Sequence, residues 1–349
     1  MRNKKRKRIK REQQMKKLFF AALAIGCSLP ALAQQRPQHS QYMMNNYLLN
    51  PAVAGIENFT DVKLGMRRQW VGIDGAPVSY YATAHTALGK KDNLVQTPFS
   101  ISRKAGRRPQ MSRGSSRFSK VSPHHGVGAM LEMDKTGPLS TKAVQLTYAY
   151  HQPITRSLRV AAGITGGWRQ FSLNWDDIQL KEIDPQYMNQ KVSQSNVDLA
   201  AGIWIYSSHF YLGGSAQQLL QNDLDFGQGT GEGYLQAHYF GTAGAKLEVT
   251  EDFAFVPSVM MKLAQPSPVS WDLNLKAVYA ETVWAGVSYR ERDAISVMAG
   301  GHVTEKISAG YSYDFTTSEL NKVSSGSHEI VLGIKLAGAS DTRNWLPWW

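Results

Sequence analysis

Apolar and polar residues alternate along most of this chain, from residue 59 onward. In "ISAGYSYDF" (307–315) the odd-numbered residues are apolar or aromatic, and the even-numbered residues are small or polar. Successive side chains of a β-strand point to opposite faces, so this period of two predicts strands with one apolar face. About fourteen such stretches occur between the leader and the end of the chain. The pattern therefore predicts an all-β protein.

Two architectures can cover one apolar face on so many antiparallel strands. A soluble sandwich or barrel turns that face inward, whereas an outer-membrane barrel turns it toward lipid and keeps a polar lumen. The candidate strands run for about 9 to 13 residues, which is enough for a tilted membrane span. Their polar face is rich in Gly, Ala and Ser, and aromatic residues recur near strand ends, as in an interfacial girdle. These aromatic positions are Trp70, Tyr150, Trp168, Trp271, Trp284 and Tyr289.

We therefore predict a transmembrane antiparallel β-barrel over residues 59–337, with a soluble β protein as the alternative. The last residues, 338–349, form a C-terminal tail beyond the predicted barrel.

The first 33 residues have the three parts of a secretory signal peptide. Lys16 and Lys17 precede an apolar run over 18–26, which is too short to span a bilayer. Ala31-Leu32-Ala33 is a small-x-small cleavage site. We expect residues 1–33 to be removed, with Met15 as the true start of translation.

The formal charge of +12 belongs mostly to this leader. Its ten Lys and Arg residues oppose one Glu, which leaves +3 on the remainder of the chain. A nucleic-acid partner is therefore not expected. Cys27, the single cysteine, also lies in the leader, so the mature chain would hold no disulfide.

A second basic stretch lies within the predicted barrel, at residues 89–123. It holds nine Lys and Arg residues against Asp92, among Ser, Gly and Pro. This composition predicts a disordered insertion. A functional alternative is that Arg107 and Arg108 help to bind peptidoglycan or an acidic periplasmic protein.

Connection lengths predict the orientation, because bacterial barrels keep short turns in the periplasm and long loops outside. If residue 59 lies on the periplasmic side, the segment 34–58 is an N-terminal periplasmic segment. The short connections "QPITR", "YSSH", "TED", "AE" and "TEK" then fall on that side. The insertion 89–123 is the exception, since it is a long connection on the short-turn side.

Three stretches resemble the PorP/SprF family of type IX secretion membrane proteins. They are "QQRPQHSQYMMNNYLLNPAVAG" (34–55), "RRQWVGIDGAP" (67–77) and "GYSYDFTTSELNKVSSGSHEIVLGIKL" (310–336). The resemblance implies an outer-membrane barrel of a Gram-negative bacterium that serves type IX secretion or gliding-type adhesin export. It implies binding to other secretion components, to a secreted surface protein, or to both, within outer-membrane lipid.

Two sets of residues are candidates for partner binding. Tyr42, Asn50 and Pro51 belong to the first motif, which either packs as a plug or rim segment or docks a partner. The second set, Trp70, Asp74 and Pro77, lies in "WVGIDGAP", which forms either a tight turn or a partner-facing surface. A different function, an outer-membrane porin or hydrophobic-solute transporter, remains the alternative.

Catalytic and metal chemistry find little support in the sequence. Two pairs of adjacent residues could act together, His124 with His125 and His328 with Glu329. Because each pair lies in a predicted strand, its two side chains should point to opposite faces. The pair Asp176–Asp177 lacks the repeated oxygen ligands of a calcium loop. No nucleophile, base and orienting group are recognisably spaced. We predict a protein that is not an enzyme and that has no cofactor and no metal.

Overall fold

Fourteen antiparallel strands close into a barrel in the computed structural model of this protein. The structure describes residues 36–90, 122–155, 157–174, 191–224 and 233–338. The strands are β1 (Phe59–Arg68), β2 (Val78–Leu88), β3 (His124–Thr136), β4 (Leu139–Pro153), β5 (Arg159–Asn174), β6 (Lys191–Tyr206), β7 (Phe210–Gln217), β8 (His238–Ala245), β9 (Phe253–Ala264), β10 (Ser270–Tyr279), β11 (Val283–Arg290), β12 (Ala294–His302), β13 (Ile307–Thr316) and β14 (Ser327–Gly338).

Each strand pairs with its neighbours in chain order, and β1 pairs with β14 to close the ring. At this seam Met66 lies opposite Ile330, and on its other side Met66 lies opposite Tyr80. Closure leaves no open sheet edge, so backbone N–H and C=O groups are paired between strands as lipid requires. The predicted all-β class and the count of about fourteen strands are confirmed.

The two faces of the wall differ as the alternation predicts. On β4, Leu146 is 67% exposed and points outward, whereas its neighbours Gln145 and Thr147 are buried in the lumen. Exposed Leu, Ile, Val, Met and aromatic residues cover the outside of the ring, while the buried Asp, Glu, Lys, Arg and His residues of the strands lie inside it. So continuous an exposed apolar surface is typical of a membrane-facing wall. The soluble alternative, with its apolar face inward, is therefore wrong.

The barrel has two distinct ends. At the turn end, where β1 begins, the connections 207–209, 280–282 and 303–306 are short. At the loop end, where β1 finishes, connections such as 69–77 and 317–326 are longer. No helix among the described residues is long and apolar enough to cross a membrane. Residues 91–121, with most of the basic insertion, and the tail from 339 onward lie outside the described part of the chain.

A charge placed on the outward face should oppose membrane insertion. Leu146→Arg puts a guanidinium group at the middle of β4, where lipid exposure should cost about 2–4 kcal/mol. Val303→Arg is the matched control, because Val303 is 68% exposed but lies in a turn. We expect Leu146→Arg to reduce the folded fraction, measured by the heat-dependent gel shift of the refolded barrel, and Val303→Arg to leave it unchanged. Equal folded fractions for the two variants would contradict a lipid-facing β4.

Candidate functional site

Residues 36–58, named here the lumenal segment, run through the inside of the barrel. They form three single turns of 3-10 helix, at Tyr42–Met44, Asn46–Leu48 and Pro51–Val53. Nearly every residue from 39 to 57 is buried, and Tyr42 is only 2% exposed. The segment therefore packs inside the ring, in the manner of a plug. A ring of fourteen strands leaves interior space that its own side chains do not fill.

The segment spans the lumen from the loop end to the turn end. Ser40 contacts Arg67, the next-to-last residue of β1 at the loop end. Ala54 and Gly55 contact His151 and His124 at the turn end. The chain then leaves the lumen and enters β1 at Phe59. The segment therefore runs along the barrel in the direction opposite to β1.

A buried ion network holds the segment at the loop end. Arg67 donates to Asp314 Oδ2 at 2.6 Å and to Glu329 Oε2 at 3.0 Å. The Ser40 backbone N–H donates to Glu329 Oε2 at 2.6 Å, and its hydroxyl donates to Asp314 Oδ2 at 2.7 Å. Gln41 adds a bond from its side-chain amide to the Glu329 carbonyl. Removing one partner would leave an uncompensated buried charge, which typically costs 3–5 kcal/mol.

A second ion network lies across the lumen, on β3, β5 and β6. Arg36 approaches Glu132 at 3.4 Å, and Arg169 approaches both Glu132, at 3.6 Å, and Asp198, at 3.3 Å. Arg36 is the first described residue of the lumenal segment. Charged groups at the loop end therefore hold the segment to two separate parts of the wall. Arg36 pairs with Glu132 on β3, and Ser40 bonds to Asp314 on β13.

Asparagine side chains hold the middle of the segment. Asn45 donates to Thr83 Oγ1 at 3.0 Å. The Asn50 amide donates to the backbone carbonyls of Ile203 and Gly214, while its oxygen accepts from the Ala52 N–H at 2.9 Å. Asn50 therefore caps the third 3-10 turn and joins it to β6 and β7. Side chains of this kind satisfy backbone groups that regular structure leaves free.

Two stacked histidines hold the segment at the turn end. The rings of His124 and His151 lie 4.3 Å apart and nearly parallel, at 8°. His151 Nε2 contacts the Ala54 carbonyl at 2.8 Å, and His124 Nε2 contacts the Gly55 carbonyl at 3.1 Å. As predicted, His125 points to the opposite face, where it contacts Tyr148.

Glycines in three strands make room for the segment's backbone. A Cβ at Gly126 would lie 1.8 Å from the Ala54 carbonyl oxygen, and one at Gly163 would lie 2.5 Å from the Ala52 nitrogen. A Cβ at Gly202 would lie 2.1 Å from Asn50 Oδ1. Such distances are far shorter than a van der Waals contact. The wall and the segment are therefore fitted to each other.

A cavity of about 40 Å³ remains beside the segment at the loop end. Arg36, Leu48, Phe240 and Met260 are among the residues that line it.

The candidate residues from the sequence fall into three groups in the structure. Tyr42, Asn50 and Pro51 are buried in the lumen, where Tyr42 accepts a hydrogen bond from Asn274 and Asn50 caps a turn. They contact the barrel wall and not a free surface. Their role in partner binding stays a prediction.

The second group lies in the loop between β1 and β2. Asp74 is exposed, Trp70 is half-buried and Pro77 is buried. The Trp70 N–H donates to the hydroxyl of Ser327, the first residue of β14, and the Val71 N–H donates to the carbonyl of Gly326 in the facing connection. The third group, Arg107 and Arg108, lies outside the described residues.

Several residues of this site were not singled out as candidates from the sequence. Each is a polar or charged residue on the inward face of a strand, or a serine within the segment. The sequence signal is a charge at a position where the alternation predicts a lumenal side chain. These residues are Ser40, Arg67, Glu132, His151, Arg169, Asp198 and Asp314.

Gly202→Ala should displace the lumenal segment, because its Cβ would overlap Asn50 Oδ1. We expect a loss of about 1–3 kcal/mol in unfolding free energy, measured by urea titration of the refolded barrel. Gly214→Ala is the matched control: Gly214 faces outward on β7, and a Cβ there meets nothing within 4 Å. Equal stabilities for the two variants would contradict a tightly fitted segment.

Comparison with solved structures finds barrels of very low sequence identity. The toluene transporter TbuX of Ralstonia pickettii is 9% identical, with coverage of 86% of this chain and 94% of that chain and a TM-score of 0.47. The monoaromatic hydrocarbon channel CymD is 13% identical, with coverage of 85% and 92% and a TM-score of 0.45. A mutant of the Rh. blastica porin is 8% identical, with coverage of 80% and 99% and a TM-score of 0.31. These are likenesses of fold alone.

Comparison with curated protein sequences finds no match. A sequence family, by contrast, matches residues 31–334, which is most of the chain. That family is described as type IX secretion system membrane protein PorP/SprF. It agrees with the resemblance carried by the motifs at 34–55, 67–77 and 310–336. This chain, an outer-membrane barrel with an occupied lumen, belongs to the PorP/SprF family of type IX secretion system membrane proteins.

Proposed function

We propose that this barrel is a non-enzymatic accessory of type IX secretion that works by binding another protein. The observation that carries the proposal is the lumenal segment, which is held by strands on all sides of the ring. A transport function needs a continuous path through the lumen. Ser40 instead bonds to Glu329 and Asp314 at the loop end, and His151 contacts Ala54 at the turn end. These contacts hold a segment across that path.

The contrast with a solute channel supports this proposal further. The lumenal segment belongs to the same chain as the barrel and passes directly into β1, so it is present at one copy in every molecule. Its contacts are polar and specific, and glycines in the wall are fitted to its backbone. A lumen that is permanently occupied in this way is expected of a protein-binding scaffold. We therefore favour protein binding over the alternative of a porin or hydrophobic-solute transporter.

The loop end is the face that we propose for binding an exported surface protein. The loop 69–77 is joined to the connection 317–326 by backbone bonds from Val71 N–H to Gly326 O, at 2.9 Å, and from Ser325 N–H to Val71 O, at 2.7 Å. Gly137 N–H donates to Gly75 O at 2.8 Å. Loops linked in this way form a preorganised surface, which reduces the entropy cost of association. Under the loop-length rule this end faces outward.

Electrical recording separates a scaffold from a channel. In planar bilayers the full chain should show no steady conductance above that of the bare bilayer, because the lumenal segment blocks the path. A variant lacking residues 36–53 and refolded to a heat-shifting barrel should conduct ions. A steady ohmic conductance from the full chain would contradict the scaffold proposal.

Partner capture should depend on the exposed loop residue Asp74. Asp74→Ala should reduce recovery of the partner from detergent-solubilised outer membrane at least several-fold without changing the heat shift of the barrel. The matched control is Asp252→Ala, because Asp252 is exposed at the turn end. Recovered proteins are identified by mass spectrometry. A loss with Asp252→Ala alone would place binding at the turn end and contradict the proposed face.

A further inference from the structure

Three exposed cations lie close together on the outward face of the barrel, near the loop end. They are Arg68, the last residue of β1; Lys135, the next-to-last residue of β3; and Lys142, in the first part of β4. Arg68 and Lys142 make no ion pair or side-chain hydrogen bond within the described part of the chain. We name these three residues the basic patch. Charges at this position stand at the edge of the membrane.

The register of the strands brings the members of the patch together. Val78 of β2 lies opposite Arg68 on one side and opposite Lys135 on the other. Because neighbouring strands are about 4.8 Å apart, the backbones of Arg68 and Lys135 are roughly 10 Å apart. Lys142 lies opposite Met133, two residues along the strand from Lys135. Long Arg and Lys side chains can therefore converge above the short side chain of Val78 on a single anion.

Apolar residues continue the same surface toward the middle of the membrane. Met66, Tyr80 and Met133 point outward and are exposed, and each lies two residues inward from a patch residue or Val78 on its own strand. A surface that presents cations near the loop end and apolar side chains beside them matches the two parts of an anionic lipid.

Outward strand residues next to the loop end differ on the other side of the barrel. On β10 to β13, the outward residue nearest the loop end is aromatic or aliphatic. They are Trp271 on β10, Tyr289 on β11, Ile295 on β12 and Phe315 on β13. A general need for solubility at the rim would not concentrate cations on β1, β3 and β4. A local anionic ligand would explain why these cations lie together.

We propose that Arg68, Lys135 and Lys142 bind the phosphate group of an anionic membrane lipid. Arg68 supplies the planar fork that suits phosphate oxygens, and the two lysines supply point charges beside it. The acyl chains of this lipid pack against Met66, Tyr80 and Met133. The proposal concerns the lipid-facing surface and does not depend on the proposed role in secretion.

Native mass spectrometry of the full chain in a neutral maltoside detergent tests the site. The probe is lipid A, which carries phosphate monoesters, and the comparison is phosphatidylcholine. We expect the unaltered chain to retain one lipid A and little phosphatidylcholine. The triple variant Arg68→Gln, Lys135→Gln, Lys142→Gln should bind lipid A about a hundred-fold more weakly, since each cation near a membrane surface contributes roughly 1 kcal/mol.

The controls separate this site from general charge effects. Arg292→Gln with Lys306→Gln removes two exposed cations outside the patch and should leave lipid A binding unchanged. If the triple variant lacks the heat shift of a folded barrel, the single variants Arg68→Gln and Lys142→Gln should each weaken binding about five-fold. The proposal is overturned if patch variants bind lipid A as the unaltered chain does, or if phosphatidylcholine is retained equally. Displacement of lipid A by inorganic phosphate would also overturn it, since the site would then take free phosphate.

Discussion

The width of a fourteen-strand barrel is the constraint on which the rest of this structure depends. Inward side chains fill a ring of about eight strands, but a larger ring leaves an interior that water, ligand or protein must occupy. Here residues 36–58 occupy it. Three features of the wall fit residues 36–58. They are its polar inner face, the glycines in β3, β5 and β6, and the buried ion networks.

The two faces of the wall obey different rules because their surroundings differ. Outward residues meet lipid, where an apolar side chain of almost any shape suffices. Inward residues meet a protein segment with its own N–H groups, carbonyls and side chains, so each must find a specific partner. Glu329 shows the difference well: its side chain accepts from Arg67 and from the Ser40 backbone, while its neighbour His328 lies on the other face beside Tyr311.

The alternation of residues was sufficient to predict the barrel, because burial on one face and lipid on the other force a period of two. The stretch 307–315 shows that period without interruption, and it forms β13. The course of residues 36–58 was not predictable in the same way. The segment "QYMMNNYLLNPAVAG" has no regular period, and its apolar residues fit either a plug or rim segment or a docking peptide.

Contacts between distant residues explain why the site escaped sequence reasoning. Ser40 meets Glu329, and Asn50 meets Gly202, across separations that no local pattern reports. The lumenal charges could be assigned to the inner face, but their partners could not be chosen without the three-dimensional register. Tyr42 and Asn50 belong to a recognisable motif, but only the structure shows the strands that they contact.

The fit between the glycines and the lumenal segment has a consequence for how this family diverges. Position 202 has to remain without a side chain for as long as position 50 carries an amide that bonds to β6 and β7. Changes in the inner wall and in residues 36–58 should therefore accumulate together, although many of them are far apart in the gene. The outer face should drift freely among apolar residues. Over evolutionary time, the inward residues of each strand are constrained by the lumenal segment, and the outward residues are constrained only by the membrane.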